Sequence, residues 1–496
     1  MQKKFTLERA RSETVGVAPS SILKLTDALK RIGFTCNSMV MVKSGKVVFE
    51  IYYKPFAADS LHLLASCSKS FASTAVGFAV AEGLFTLDDR IVGLLPEKVD
   101  GAPHEFIAAM TVRHLLTMST AFSIFKDPLT DDWTREFLNA APDHYPGTTF
   151  TYDTSGTHTL CEVVQKFAGK TLLEYLKPRL FEPLGIDSVE WEVSPMGVNR
   201  GGGGVRLRTE DMAKFGLLYM NGGKIDGRQI LPAGWAELAT AAHICSISND
   251  GTYKYGYGFQ FWRIPDNGVA CLGMGGQVIA MFPERDLVFA VTANGIQHNH
   301  DYFPLDMMCE LVLPGVKNHP IQFDDISYNR LTGVCESAEV FIPDGAVHSL
   351  IEAGISGVFF PVSANPAGYT GFSVTFKEGG GEFALRKGGG AEDRIPFGMG
   401  THLPGNIPWQ TDVKEYQFFG KYTFVNDPNP WLRSKCGSAA IWTNDKTLVI
   451  KCHMLDLLQS FVITCHFGDQ ANVVHILPTG VFTYRRLPLA LSHTKY

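Results

Sequence analysis

Basic clusters are missing from this sequence. Its 44 lysines and arginines are outnumbered by 50 aspartates and glutamates, for a net charge of −6. No block of five or more basic residues occurs. Phosphate binding needs clustered Lys and Arg, so no nucleic-acid partner is expected. Missing too is an apolar run of the ~18 residues that a bilayer crossing demands. The densest candidate, Phe71 to Phe85, is broken by Ser73, Thr74 and Glu82; it reads as a buried helix, and no membrane partner is expected. The opening MQKKFTLERARSETVG is basic, with no apolar stretch behind it, so a secretory signal is not supported. Ten cysteines are present, but no CxxC pair, and their spacings are irregular. That pattern argues against a zinc site or redox dithiol and for scattered thiols in a reducing compartment. The expectation is a cytoplasmic protein that needs no metal or cofactor.

What is present is an ordinary globular composition, 45% hydrophobic over 496 residues, enough for several domains. Ser38 to Tyr53 reads as a hairpin around a Ser-Gly turn. Helical patterns follow at Lys69–Leu84, Thr111–Met118, Thr159–Leu180 and Asp211–Met220, the last stopped by Asn221, Gly222 and Gly223. A second hairpin, Gln277–Phe282 with Leu287–Ala293, turns at residues 283–286. Strands at both ends with helices between them predict one mixed α/β domain over 1–315, its sheet closed by distant segments. Residues 313–320 read as a linker. Beyond it, over 320–496, short alternating strands predict an antiparallel, barrel-like or sandwich-like domain. These strands are Glu339–Ile342, Gly371–Phe376, Glu415–Val425, Ala439–Thr443, Thr447–Cys452, Ser460–Phe467 and Asn472–Leu477.

The chemistry centres on Ser66-Cys67-Ser68-Lys69. A Ser and a Lys three apart share one helix face, with about 5–6 Å between Cβ atoms. The amine can take the hydroxyl proton if it is neutral. Bringing a lysine from about 10.4 to about 7–8 requires about 4 kcal/mol, and burial acts in that direction. Ser21–Lys24, Ser123–Lys126 and Ser492–Lys495 repeat the spacing, on an amphipathic helix, in a polar loop and on the tail. Only Ser66 opens a helix that is apolar nearly all round, so only Lys69 is expected inside. Cys67 lies about 100° round the helix from Ser66 and reads as a packing residue. No G-x-S-x-G elbow or HExxH helix occurs, and Gly201–Gly204 lacks the Gly-Lys-Ser/Thr of a phosphate loop.

These residues and their surroundings resemble the β-lactamase-related serine hydrolases, a family that includes class C β-lactamases, D-alanyl-D-alanine carboxypeptidases, esterases and 6-aminohexanoate-dimer hydrolase. Five blocks match in order: LLASCSKSFASTAVGFAVAEGLFTLDDRI, MTVRHLLTMST, the stretch from Pro146 to Ile186, GGGGVRLRTEDMAKFGLLYMNGG and GMGGQVIAMFPERDLVFAVTAN. Together they span roughly residues 20–315. The resemblance implies an antiparallel sheet packed by helices, with a helical lobe and the site between them. It implies the second motif at Tyr152-Asp153-Thr154, 86 residues after Ser66, with the Tyr152 phenol moving protons and Thr154 binding substrate in place of the usual Asn or Ser. Tyr219-Met220-Asn221 is the rival match, with Tyr219 read as packing. The third motif has no Lys-Thr-Gly. Lys43-Ser44-Gly45 has those letters' form but sits at the first hairpin turn. The matching strand reads Gly273-Met274-Gly275-Gly276-Gln277, which implies an oxyanion hole from the amides of Ser66 and Met274, with Gly275 beside the substrate.

The implied activity is a Ser-Lys-Tyr serine hydrolase forming an acyl-enzyme on a small ester or amide. Esters are favoured because no cation stands where a substrate carboxylate would be held. Acyl transfer from the same intermediate, and a non-catalytic binding protein on this scaffold, are the alternatives.

Overall fold

The computed structural model describes residues 4–123, 128–246, 255–295, 301–365, 368–406, 435–455, 458–468, 471–480 and 489–494. The first hairpin forms as its pattern predicts: Cys36–Lys43 pairs antiparallel with Lys46–Tyr52. Ser44 and Gly45 turn it with φ of 52° and 72°, so Lys43-Ser44-Gly45 is a hairpin turn. The second hairpin closes onto it, because Leu287–Ala293 pairs with Cys36–Lys43 from Leu287↔Lys43 onward. The result is a seven-stranded sheet in the order Glu8–Arg9, Lys46–Tyr52, Cys36–Lys43, Leu287–Ala293, Gln277–Phe282, Gly268–Gly273, Trp262–Ile264.

Side-chain alternation places a core on each face of this sheet. Val40, Val42, Ile279, Met281, Val288 and Ala290 pack with the helix Ser68–Ala81 and the helical lobe. Met39, Met41, Val278, Ala280, Phe289 and Val291 face the other core, with Ile22 and Leu25 of helix Pro19–Arg31 and Leu305 and Met308 of helix Phe303–Leu311. Both faces are covered by packed elements, which is why every residue of Cys36–Lys43 and Leu287–Ala293 is buried.

Local chemistry changed two expected elements. The pattern at Thr159–Leu180 is two helices: Thr154–Ala168 ends at Gly169, with φ of 64°, and Thr171 with Glu174 forms a capping box that starts Leu172–Leu176. Glu339–Ile342 makes only an isolated parallel bridge, Lys54↔Glu339, because Pro55 has no N–H with which to continue a ladder. A helix, Asp325–Glu336, stands between the linker and the first expected strand. Its Leu331 packs into the first domain's core.

Among the described residues, the C-terminal domain is a curled ten-stranded sheet. Its neighbours are antiparallel except for the short parallel contact of Gly398 with Ala439. The curl brings Phe360 of the first strand to 5.5 Å from Phe467, around a core of Phe372, Phe383, Phe397, Trp442 and Ile463. The expected strand Glu415–Val425 lies outside the described residues. This sheet packs tightly on the first domain: a Cβ on Gly437 would fall 2.1 Å from the Pro55 ring. Among the described residues, no helix is long and apolar enough to cross a membrane.

Candidate active site

Ser66 lies in a short 3-10 turn, Ala65–Cys67, that runs straight into the helix Ser68–Ala81. Ala65 is left-handed, with φ of 45°, a conformation that L side chains hold only when neighbours enforce it. Two neighbours do. A small sheet pairs His62–Leu63 with Val205–Leu207, and Gly273 lies so close that a Cβ there would fall 2.3 Å from the Leu64 carbonyl oxygen. The turn leaves Ser66 partly open while Ala65, Cys67 and Ser68 are buried. Cys67 donates its thiol to the Gln277 carbonyl at 3.4 Å and fills space, as its place on the helix predicts.

Lys69 is 1% exposed. Its Nζ lies 3.0 Å from Ser66 Oγ and donates to the Gly202 carbonyl at 2.9 Å. Burial lowers its pKa to about 7; Asp153 and neighbouring thiols oppose that shift, and the Arg200 guanidinium adds to it. Lys24, by contrast, is exposed on its amphipathic helix. Lys126 and Lys495, which would complete the other two Ser–Lys pairs, lie outside the described residues.

Gly202 reaches Lys69 because the strand Val205–Leu207 is tied to the nucleophile turn, both through its pairing and through the Val205 N–H donating to Ser68 Oγ at 3.0 Å. The preceding glycines allow close approach. A Cβ would meet Cys161 Sγ at 2.2 Å from Gly201, and Thr154 Cγ2 at 2.1 Å from Gly202. Sequence reasoning read this run only as a matching block. Its signal was four consecutive glycines ahead of a helix, which mark close backbone packing as readily as a loop.

Tyr152 comes from the loop before helix Thr154–Ala168. Its ring stacks on Trp262 at 5.6 Å and meets Tyr257 edge-on at 6.5 Å. Its hydroxyl faces Ser66 closely enough to feel that side chain, and Lys69 Nζ sits 4.7 Å from the ring centre. Burial pushes the phenol's pKa well up, with the Ser66 side chain opposing. Asp153, the middle letter of the motif, caps the helix by accepting from the N–H groups of Ser155 at 2.8 Å and Gly156 at 3.2 Å, and from Thr120 Oγ1 at 3.1 Å. Thr154 stands at the helix start, against Gly202. Tyr219, the rival, is 5% exposed, bonds Thr74 at 2.7 Å and packs on Phe215 and Phe261.

Met274 follows Gly273 at the nucleophile turn and packs with Leu63, Ala65 and Leu458. Gln277 holds its backbone: Nε2 donates to Met274 O at 3.3 Å and Ala293 O at 2.6 Å, while Oε1 accepts from Ala293 N at 3.3 Å. The Gly275 N–H is engaged by Asp301 Oδ2 at 2.8 Å and its carbonyl by Gly295 N at 2.9 Å. Both clamps were missed in the sequence, where Gln277 was only the last letter of a motif. Among the described residues, no group of three or more His, Cys, Asp or Glu is placed to hold a metal ion.

The family model described as Beta-lactamase matches residues 24–306, more than half of the chain. The chain belongs to the beta-lactamase family. Its members are serine hydrolases, esterase and amidase relatives among them. The chain is 25% identical over 292 residues to 6-aminohexanoate-dimer hydrolase of Paenarthrobacter ureafaciens, covering 53% of this chain and 74% of that one. A family VIII carboxylesterase structure covers 63% of this chain and 99% of its own, at 17% identity and a TM-score of 0.51. A penicillin-binding protein homologue from Caulobacter crescentus covers 62% and 99%, at 17% identity and a TM-score of 0.50. These two structural likenesses speak to the fold.

Proposed function

We propose that this beta-lactamase-family protein hydrolyses small esters or amides, esters preferentially, through an acyl-enzyme on Ser66. The observation that carries the reading is the Lys69 amine, shut away from water, 3.0 Å from Ser66 Oγ and with a pKa near 7. An amine of that affinity takes the hydroxyl proton at neutral pH. Tyr152, held protonated by burial, is the group that passes a proton to the leaving alcohol or amine. Ser66 Oγ bonds to the carbonyl carbon, and the developing oxyanion lies against the amides of Ser66 and Met274. Such donors contribute about 3–4 kcal/mol each. The leaving group departs with a proton, and water, deprotonated by the same Lys69–Tyr152 pair, releases the acid.

Thr154 lines the substrate side near Lys69. Gly275, its N–H and carbonyl both engaged, offers substrate a surface without a side chain. Ala270, Cys271, Leu272 and Gly273 lead into the oxyanion turn without a cation, which supports neutral esters over substrates with a carboxylate. The ten free cysteines support a reducing, cytoplasmic setting.

The test is labelling by a fluorophosphonate located by mass spectrometry, beside hydrolysis of p-nitrophenyl acetate and butyrate. Wild type takes the label on Ser66 and turns over both esters. The Ser66→Ala variant does neither. Unchanged hydrolysis by that variant refutes the proposal.

A further inference from the structure

The C-terminal domain reaches the nucleophile. Leu458, just before strand Gln459–Phe467, is 3% exposed and packs in one cluster with Leu63, Ala65 and Met274. Ala65 immediately precedes Ser66, and Met274 carries one of the two amides assigned to the oxyanion. Two residues further on, Ser460 Oγ accepts from Asn294 Nδ2 at 3.2 Å and contacts His453 Nδ1 at 3.0 Å. Asn294 follows Ala293, whose carbonyl holds the same Gln277 amide that holds Met274. Leu458 and the oxyanion loop are therefore secured to one frame, and their separation is set by hydrogen bonds as well as by packing.

From the juxtaposition of Leu458 with Ala65 and Met274 we infer that the C-terminal domain supplies a wall of the acyl pocket and restricts the enzyme to short acyl chains. The inference rests on the ester-hydrolase reading above. Direction follows from the placement of the acid. A leaving group must lie toward Tyr152, which packs with Tyr257 and Trp262. Leu458 packs instead with the residues that flank the carbonyl, so it meets the acyl side. An apolar wall of this kind admits a few carbons and excludes the next ones by overlap, because each misfit methylene in a closed pocket changes transition-state binding about tenfold or more.

The experiment compares kcat/KM for p-nitrophenyl octanoate and acetate in the full-length wild type, Leu458→Ala, Leu458→Met and Leu458→Trp, each corrected for the rate of Ser66→Ala. Acetate turnover by wild type reports on the hydrolase reading; the octanoate-to-acetate ratio reports on the wall. Leu458→Ala raises that ratio at least about tenfold, and Leu458→Met, which conserves volume, leaves it near wild type. Should the alanine variant fail to fold, Leu458→Trp still answers, since a larger side chain lowers the octanoate-to-acetate ratio further. A ratio within about twofold of wild type in a folded alanine or tryptophan variant that still hydrolyses acetate overturns the wall and leaves the hydrolase reading standing. Loss of acetate turnover in wild type overturns both.

Discussion

The Lys69 amine donates to the carbonyl of Gly202, 2.9 Å away in space and 133 residues along the chain. This contact fixes the amine's position without a countercharge. A carboxylate at that point would hold the proton on the lysine; a carbonyl leaves its affinity to be set mainly by burial. Asp153 acts on Lys69 through space, but its oxygens are engaged by Ser155, Gly156 and Thr120.

Activity should follow the charge on that amine. With the Lys69 pKa near 7, kcat/KM for p-nitrophenyl acetate rises with pH through about 7 and then levels, falling tenfold per unit on the acid side where the amine is protonated. Lys69→Arg is inactive across the whole range, because a guanidinium keeps its proton. A wild-type profile flat between pH 5 and 9 contradicts the assignment of Lys69 as base.

The same buried amine carries a stability cost. A folded-state pKa below the unfolded one means that the native state is penalised wherever the unfolded chain holds the proton. The penalty is complete below about 7 and fades above the unfolded lysine value of about 10.4. Lys69→Met removes it. Urea titrations at pH 6 should show the variant more stable by a few kcal/mol, less about 1 kcal/mol for the lost Gly202 bond, and the advantage should vanish by pH 10.5.

Tyr152 separates proton transfer from packing. Its ring lies against Trp262 and Tyr257, and Tyr152→Phe keeps that ring. The expected outcome is a loss of roughly 10²–10⁴ in kcat/KM, with an unfolding midpoint close to wild type. A loss below threefold would remove Tyr152 from the proton path.

Gly202 and Thr154 offer a paired test. A Cβ on Gly202 would overlap Thr154 Cγ2 at 2.1 Å and come within 3.6 Å of Lys69 Nζ. Gly202→Ala should therefore reduce kcat. Thr154→Ser deletes that methyl and keeps the hydroxyl, so the double variant should recover much of the lost rate. Additive losses in the cycle would show that the two residues do not share this contact.

The sequence by itself determined the nucleophile helix, both hairpins and the separate β domain. Their signals are local: an apolar run, strict alternation, a turn residue in place. It also carried Ser66, Lys69 and Tyr152, because a three-residue spacing and a tyrosine loop survive as letters. Only the tertiary structure decided what surrounds them. The carbonyl of Gly202, the Gln277 clamp, the N-cap of Asp153 and the reach of Leu458 to Ala65 all join residues far apart in the chain. Backbone carbonyls and glycine spacings have no side-chain signature, so their partners follow from chain closure alone. Burial of Lys69 lies between the two: the apolar helix around it foretold the direction, and the assembled walls set the depth.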